Sequence, residues 1–225
     1  MTQSFCVFGD SIASGIVFDN VRNKYVLMKD WLKSKSCSVA ENFARFGCTV
    51  GRGGDIIKKH LGDVNKYDFT ILEFGGNDCD YDWKAVAENP NGTHSPKTTM
   101  TEFVHNYTNI IKEIRQHLGN PVLVNLPPID SEKYFNWVSQ GLDKDNILRW
   151  LGDKERIYRW HEFYNTAVHN LSSVHNVPLI DIRSKFLDKN SFTEYICDDG
   201  IHPNPAGYEM IEKSILGYVG SKKQA

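Results

Sequence analysis

Three residues in the sequence have the side chains that nucleophilic catalysis needs. Ser11 follows Gly9-Asp10 near the start of the chain, and His202 follows Asp199 by three positions near its end. A serine hydroxyl becomes a strong nucleophile only when a base removes its proton, and an imidazole can be that base. A carboxylate on the other ring nitrogen fixes the tautomer and orients the ring. The pattern therefore predicts Ser11 as the nucleophile, with Asp199 and His202 as its activating pair.

Each of these motifs also has an ordinary structural interpretation. A Gly-Asp-Ser triplet is common in turns, and Asp199 could simply cap the last helix. Asp198 is an alternative orienting carboxylate, although the spacing of three residues to His202 favours Asp199. The catalytic hypothesis rests on the motifs occurring together.

Two further segments could stabilise the charge that develops on an acyl oxygen. Attack on an acyl carbon creates an oxyanion, which needs hydrogen-bond donors that are already in place. Gly47 lies in the segment 42–49, and Asn77 lies in a Gly-Gly-Asn-Asp segment. We predict an oxyanion hole formed by the backbone N–H groups of Ser11 and Gly47 and the side-chain amide of Asn77.

The elements that must position these residues alternate between short apolar strands and longer helices. This order predicts an α/β fold, a three-layer α/β/α sandwich with a flavodoxin-like five-stranded parallel sheet. If the first strand lies between the second and third, the first three motifs converge at the carboxyl ends of the strands, where such sheets bind ligands. The predicted strands are 4–8, 38–42, 68–74, 121–126 and 177–182, and the predicted helices are 25–35, 54–61, 101–118, 154–176 and 205–219.

We expect one domain over residues 1–225, with loop insertions at about 79–100 and 129–152. Both insertions contain aromatic residues that could form substrate walls, with Tyr81 and Trp83 in the first and Trp137 in the second. Aromatic rings next to an ester site could contact a sugar or an acyl group. The equally simple alternative is that these rings attach long loops to the body of the protein.

Composition excludes several other classes of protein. A formal net charge of -2 gives no electrostatic reason to expect a nucleic-acid partner. The five cysteines form no C-x-x-C pair, which argues against a zinc ribbon or a disulfide framework. No apolar run approaches the ~20 residues that a membrane span needs. We expect no metal and no cofactor, a small-molecule or carbohydrate ester as the partner, and a cytoplasmic location; the oligomeric state is not predicted.

The motifs resemble those of the SGNH (GDSL-type) hydrolases, a family named for a Ser, Gly, Asn and His in its sequence blocks. The resemblance extends from about residue 5 to residue 202. It implies a flavodoxin-like α/β/α hydrolase that needs no metal or cofactor and acts on esters through an acyl-enzyme. The residues that match the blocks are Ser11, Gly47, Asn77, Asp199 and His202.

The sequence departs from the family pattern at two places. Ala13 stands where many relatives have a threonine, which leaves the local hydrogen bonding open but keeps the nucleophile. Gly51, Gly53 and Gly54 follow closely after Gly47, so the choice of Gly47 depends on the register of that block. The G-x-S-x-G turn of the α/β-hydrolases is absent.

Three possible functions can be compared with these motifs. An ester hydrolase for short acyl groups or acetylated carbohydrates explains all of them, and the lack of an amphipathic membrane helix disfavours an interfacial lipase. A metallophosphoesterase would need a D-x-H sequence after the first strand, where Asp10-Ser11-Ile12 stands instead. A carbohydrate- or lipid-binding module with a degenerate site is disfavoured because every position that the mechanism needs is present.

Overall fold

The computed structural model describes residues 3–32 and 37–221, and gives only the backbone for residues 37–40. Within these residues, no helix is both long enough and apolar enough to cross a membrane.

A five-stranded parallel sheet forms the centre of the fold, which confirms the predicted fold class. Its strand order is β4-β1-β5-β6-β7, so the first strand of the sheet lies between the next two in sequence, as the convergence of the motifs requires. The strands are β1 (Gln3–Gly9), β4 (Cys37–Asn42), β5 (Phe69–Glu73), β6 (Pro121–Val124) and β7 (Leu179–Ile180).

Helices cover both faces of this sheet, because the side chains of a strand alternate between its two faces. In β1, Phe5 and Val7 belong to one buried apolar cluster with residues of the last helix, whereas Cys6 and Phe8 belong to a second cluster on the opposite face. The helices are α1 (Ser11–Ser14), α2 (Val50–Lys58), α3 (Trp83–Glu88), α4 (Met100–Gln116), α5 (Ser131–Val138), α6 (Lys144–Leu151), α7 (Glu155–His175), α8 (Arg183–Leu187) and α9 (Pro205–Ser221).

The predicted helix at 25–35 is wrong over residues 25–32, which form a strand and then a turn. Lys24–Leu27 forms strand β3, which pairs antiparallel with β2 (Ile16–Asp19). The Tyr25 ring packs against Phe18 of β2 at 5.3 Å, and such cross-strand pairing overrides the helical spacing of the apolar residues. Positions 33–35 of the predicted helix lie outside the described residues.

The two segments predicted as loop insertions contain helices. Residues 129–152 include α5 and α6, and residues 79–100 include α3. The side chains of Asp82, Asp130 and Asp143 accept backbone N–H bonds at the starts of these helices, which satisfies donors that have no partner within a helix. The helices have an apolar cluster of their own. That residues 1–225 form one domain stays a prediction.

Candidate active site

The turn after β1 places Ser11 at the first position of α1. Asp10 caps this short helix, because its Oδ1 accepts a hydrogen bond of 2.8 Å from the N–H of Ile12. The carbonyl of Ala13 accepts hydrogen bonds from Asn42 Nδ2 at 2.9 Å and from Trp31 Nε1 at 2.8 Å. With alanine instead of threonine at position 13, the turn that carries Ser11 is therefore still hydrogen-bonded to its neighbours.

Ser11, His202 and Asp199 lie within hydrogen-bond distance of one another in the order that proton transfer needs. Nε2 of His202 is 2.8 Å from Oγ of Ser11, and its Nδ1 is 2.5 Å from Oδ2 of Asp199. All three side chains are buried. The fold thus aligns the hydroxyl, imidazole and carboxylate although Ser11 and His202 are 191 residues apart in the sequence.

The loop before α9 holds the aspartate and histidine in fixed positions. Oδ1 of Asp199 accepts backbone N–H bonds from Ile201 at 3.1 Å and from His202 at 3.0 Å. Gly200 adopts a left-handed φ of 80°, and a Cβ at this position would lie 2.3 Å from the backbone nitrogen of Tyr134. Only glycine fits between Asp199 and the start of α5.

Asp198 points to a different partner. Its Oδ2 accepts a hydrogen bond of 2.5 Å from Nδ2 of Asn20, and no contact with His202 is found for it among the described residues. The geometry therefore favours Asp199 as the carboxylate that orients the imidazole.

Of the three predicted oxyanion donors, Ser11 and Asn77 border the cavity, whereas Gly47 does not. Asn77 borders the same cavity as Ser11, and its Nδ2 donates a hydrogen bond of 2.9 Å to Oδ2 of Asp10; since an amide nitrogen carries two hydrogens, one remains for a ligand. Gly47 is exposed, has a left-handed φ of 66° and does not border the cavity. Within residues 3–32 and 37–221, no acceptor is found for the N–H of Ser11 or of Gly47.

The loop that carries Gly47 is attached to the turn that carries Ser11. The N–H of Arg45 donates a hydrogen bond of 3.0 Å to the carbonyl oxygen of Gly9. Asn42 reaches the same turn from the end of β4 through its bond to Ala13. Two neighbouring strand ends are therefore held side by side at the site.

Glu73, the last residue of β5, is a site residue that sequence reasoning missed. It borders the cavity, is buried beside Asp10, and its Oε2 accepts the N–H of Ala13 at 3.3 Å. Burial, and then the negative charge of Asp10, raise the pKa of Glu73 well above its ordinary value. A carboxyl at the end of the apolar run DFTILEF could have indicated such a group.

A cavity of about 940 Å³, which includes its open mouth, begins at Ser11 and His202. Seven aromatic residues border it: Tyr25, Phe46, Tyr81, Trp83, Tyr134, Trp150 and Trp160. The predicted substrate residues Tyr81 and Trp83 are among them. Trp137 is not, because its ring packs edge-on against Phe18 at a centroid distance of 4.6 Å.

The aromatic side of the cavity is stabilised by contacts between the rings and by the partly buried carboxylate of Asp80. Tyr81 lies 5.8 Å from Trp83, 4.8 Å from Trp150 and 6.0 Å from Trp160, measured between ring centroids. Oδ1 of Asp80 accepts the Nε1–H of Trp83 at 2.8 Å and the hydroxyl of Tyr134 at 2.5 Å. Trp160 was not predicted as a site residue.

Two further rings that border the cavity lie beside the imidazole of His202. The Tyr25 ring lies 5.0 Å from that of His202, and the Phe46 ring is stacked on it at 6.1 Å with an interplanar angle of 10°. Tyr25 belongs to the β2–β3 hairpin, so this hairpin forms part of the mouth.

Among the described residues, no group of three or more His, Cys, Asp or Glu side chains could hold a metal ion. Four cysteines of this part of the chain are buried free thiols, and one of them, Cys79, borders the cavity. Burial raises the pKa of the Cys79 thiol well above its ordinary value, which makes it a poor nucleophile.

Comparison with known proteins agrees with this fold. The sequence matches the GDSL-like Lipase/Acylhydrolase family over residues 7–210, and the chain belongs to this family. Among the curated proteins no sequence matches.

Solved structures of acylhydrolases share the fold at low sequence identity. A lipase/acylhydrolase from Enterococcus faecalis is 19% identical with a TM-score of 0.65, over 98% of this chain and 97% of the other. A putative acylhydrolase from Bacteroides fragilis is 16% identical with a TM-score of 0.64, over 98% and 88%. An acetyl xylan esterase from Geobacillus stearothermophilus is 15% identical with a TM-score of 0.62, over 97% and 94%.

Proposed function

We propose that this protein is a serine-dependent carboxylic ester hydrolase that works through an acyl-enzyme. The observation that carries the proposal is the position of His202, whose two ring nitrogens lie 2.8 Å from the Ser11 hydroxyl and 2.5 Å from the Asp199 carboxylate. This geometry supports transfer of the serine proton to an imidazole that is already oriented.

The first half of the reaction forms the acyl-enzyme. Oγ of Ser11 attacks the acyl carbon while its proton passes to Nε2 of His202, and Asp199 stabilises the imidazolium that results. The oxyanion accepts hydrogen bonds from the N–H of Ser11 and from the free amide hydrogen of Asn77, both of which border the cavity, whereas a third bond from the N–H of Gly47 stays a prediction. The intermediate then collapses, and the alcohol leaves with the proton from His202.

The second half releases the acid. Water loses a proton to His202 and attacks the acyl carbon of the ester on Ser11. A second oxyanion forms at the same donors, and its collapse returns the proton to Oγ of Ser11. The free serine and the carboxylic acid product result.

The proposed substrates are esters of short acyl groups, with acetylated carbohydrates as the leading class. The aromatic cavity beside Ser11 supports this choice, since such surfaces suit rings that also carry polar groups. The acetyl xylan esterase among the similar structures has the same fold. The cytoplasmic location stays a prediction.

The test compares hydrolysis of 4-nitrophenyl acetate and 4-nitrophenyl octanoate by the wild-type protein and by Ser11→Ala. We expect higher kcat/KM for the acetate, and no serine-dependent turnover in the variant. Full activity of Ser11→Ala would refute the mechanism. A folded wild-type protein that hydrolyses neither ester and is not labelled by a fluorophosphonate would instead favour a binding module.

A further inference from the structure

His161 is a buried imidazole on α7 that has no place in the proposed ester hydrolysis. It is 4% exposed and borders the cavity together with its neighbour Trp160. Its Nδ1 atom is enclosed by protein and lacks a hydrogen-bond partner. No partner is found for Nε2 among the described residues either, and Nε2 is not enclosed, so it is the ring nitrogen that can meet a ligand.

An imidazole without partners in a protein wall is unfavourable. Leaving a buried polar group unpaired is costly, and an apolar ligand that covered Nε2 would leave the second ring nitrogen without a partner as well, whereas a ligand that hydrogen-bonds to Nε2 avoids this. The wall of the cavity at His161 therefore prefers a polar group over a hydrocarbon chain.

The charge at this wall determines which polar group fits. Burial, and then the positive charge of Arg183, lower the pKa of His161 well below its ordinary value, so the ring is neutral near pH 7. Arg183 is itself buried, and Arg156 borders the cavity with its guanidinium 4.9 Å from the Trp150 ring. Because Nη2 of Arg183 is paired with Oε2 of Glu162 at 2.6 Å and Arg156 is exposed, neither guanidinium requires a charged ligand, and a neutral polar group fits this wall.

A hydroxyl group matches a neutral imidazole in either tautomer. The free nitrogen is a donor in one tautomer and an acceptor in the other, and a hydroxyl can both accept and donate. The rings of Tyr81, Trp150 and Trp160, which border the same cavity as His161, supply apolar surface for the carbon skeleton that carries the hydroxyl. A compact ring with several hydroxyls therefore satisfies this part of the cavity better than an alkyl chain does.

We propose that His161 and the surrounding aromatic rings form a subsite for the alcohol part of the ester, and that this alcohol is an uncharged polyhydroxy ring of the sugar type. His161 donates to or accepts from one of its hydroxyls through Nε2. It is a specificity-determining residue and takes no part in proton transfer at Ser11. The catalytic test of this subsite rests on the proposed esterase function, whereas the binding test does not.

The catalytic test uses two acetate esters of similar shape, 6-O-acetylglucose and cyclohexylmethyl acetate, of which only the first carries hydroxyls. The measured quantity is the ratio of their kcat/KM values. We expect His161→Phe, which keeps a ring but removes both nitrogens, to lower this ratio tenfold or more, mainly through KM for 6-O-acetylglucose. His161→Gln restores a donor and an acceptor and should recover part of the ratio.

The matched control is His105→Phe, because His105 is exposed on α4 and does not border the cavity. This variant should keep the wild-type ratio. Thermal unfolding of each variant shows whether it is folded. An unchanged ratio in folded His161→Phe, or an equal loss for both esters, would overturn the subsite.

The binding test separates the subsite from the esterase function. Ser11→Ala is titrated with 6-O-acetylglucose and with cyclohexylmethyl acetate, and tryptophan fluorescence reports binding. We expect tighter binding of 6-O-acetylglucose, and loss of this preference when His161→Phe is added. Preferred binding without turnover by the wild-type protein would refute only the esterase, whereas turnover of the acetates without this preference would refute only the subsite.

Discussion

The side-chain amide of Asn77 donates a hydrogen bond of 2.9 Å to Oδ2 of Asp10. The other oxygen of the same carboxylate accepts the N–H of Ile12 at the start of α1. One buried acid thus fixes both the proposed oxyanion donor and the turn that presents Ser11. Asp10 is a positioning residue, because it touches neither the substrate nor the reacting atoms in the proposed mechanism.

Replacing this acid should lower turnover more than substrate binding. In Asp10→Asn, an amide faces the Asn77 amide, so the Asn77 donor loses its fixed orientation. Loss of one oxyanion donor costs on the order of 10²–10³ in turnover. We therefore expect a decrease in kcat of about 10²-fold with little change in KM. Asn77→Ala should have a similar effect, and the double variant should lose less than the product of the two. Multiplicative losses measured with 4-nitrophenyl acetate would contradict the coupling.

The two neighbouring aspartates should respond very differently to the same substitution. Asp199→Asn removes the carboxylate from Nδ1 of His202, and in the serine protease triad such a change lowers kcat by about 10⁴-fold. Asp198→Asn changes only a bond to Asn20 and should keep wild-type labelling by a fluorophosphonate probe. Rapid labelling of Asp199→Asn together with loss of labelling in Asp198→Asn would reverse the assignment.

The buried Glu73 should make stability depend on pH in an unusual direction. Its folded-state pKa is raised above the ordinary value of 4.5, so the unfolded chain loses this proton first as the pH rises. The free energy of unfolding that this group contributes is therefore highest at acid pH and declines as the pH rises above about 4.5. Glu73→Gln stays neutral in both states and should remove this decline.

Urea unfolding of wild-type protein and Glu73→Gln at pH 4.5 and pH 7 checks this expectation. The variant should gain stability relative to wild type between the two pH values. Asp78→Asn is a second probe of the same effect, because burial raises the pKa of Asp78 to about 7. An identical pH dependence in wild type and Glu73→Gln would show that the two states bind this proton equally.

Adding one methyl group at Gly200 should damage both the fold and the site. A Cβ there meets the backbone nitrogen of Tyr134 at 2.3 Å, and the φ of 80° disfavours any L side chain. We expect Gly200→Ala to cost about 3 kcal/mol or more in the free energy of unfolding, because the backbone clash adds to the 1–3 kcal/mol of a strained φ. Activity should fall as well, since the loop holds Asp199.

Gly152→Ala is the control for backbone strain alone. Gly152 has a similar φ of 75°, but nothing lies within 4 Å of a Cβ there. Its ψ of -35° lies outside the left-handed helical region, so this variant should lose about 1–3 kcal/mol and keep its activity. Equal destabilisation of the two variants in urea would mean that the loop before α9 moves away from α5.

The sequence predicted the sheet and the motifs because both are local. Continuous apolar runs define β1 and β5, and the chemistry lies directly at their ends. The β2–β3 hairpin was not predicted, because the position of Tyr25 depends on its contacts with Phe18 and His202. Apolar spacing within one segment does not contain that information.

The proposed subsite at His161 could not be predicted from the sequence for a related reason. His161 and Trp160 lie on one long helix whose apolar positions look like ordinary core. They border a cavity because residues of the segment 129–151, such as Ile129 and Trp150, line its other walls. Trp137 shows the opposite outcome, since it lies in the same aromatic-rich segment but packs against Phe18.

The apolar cluster formed by α3, α5 and α6 has a wider consequence. The sheet and its two flanking layers bring Ser11 and His202 together, while this separate cluster supplies much of the far wall through residues such as Leu151 and Ile129. Changes in α3 and α6 reshape what the cavity accepts without touching the reacting groups, whereas α5 also contacts the loop of Asp199 and His202 at Gly200. The same chemistry at Ser11 can thus be directed to new esters by changing the two helical segments that line the far wall, α3 and α6.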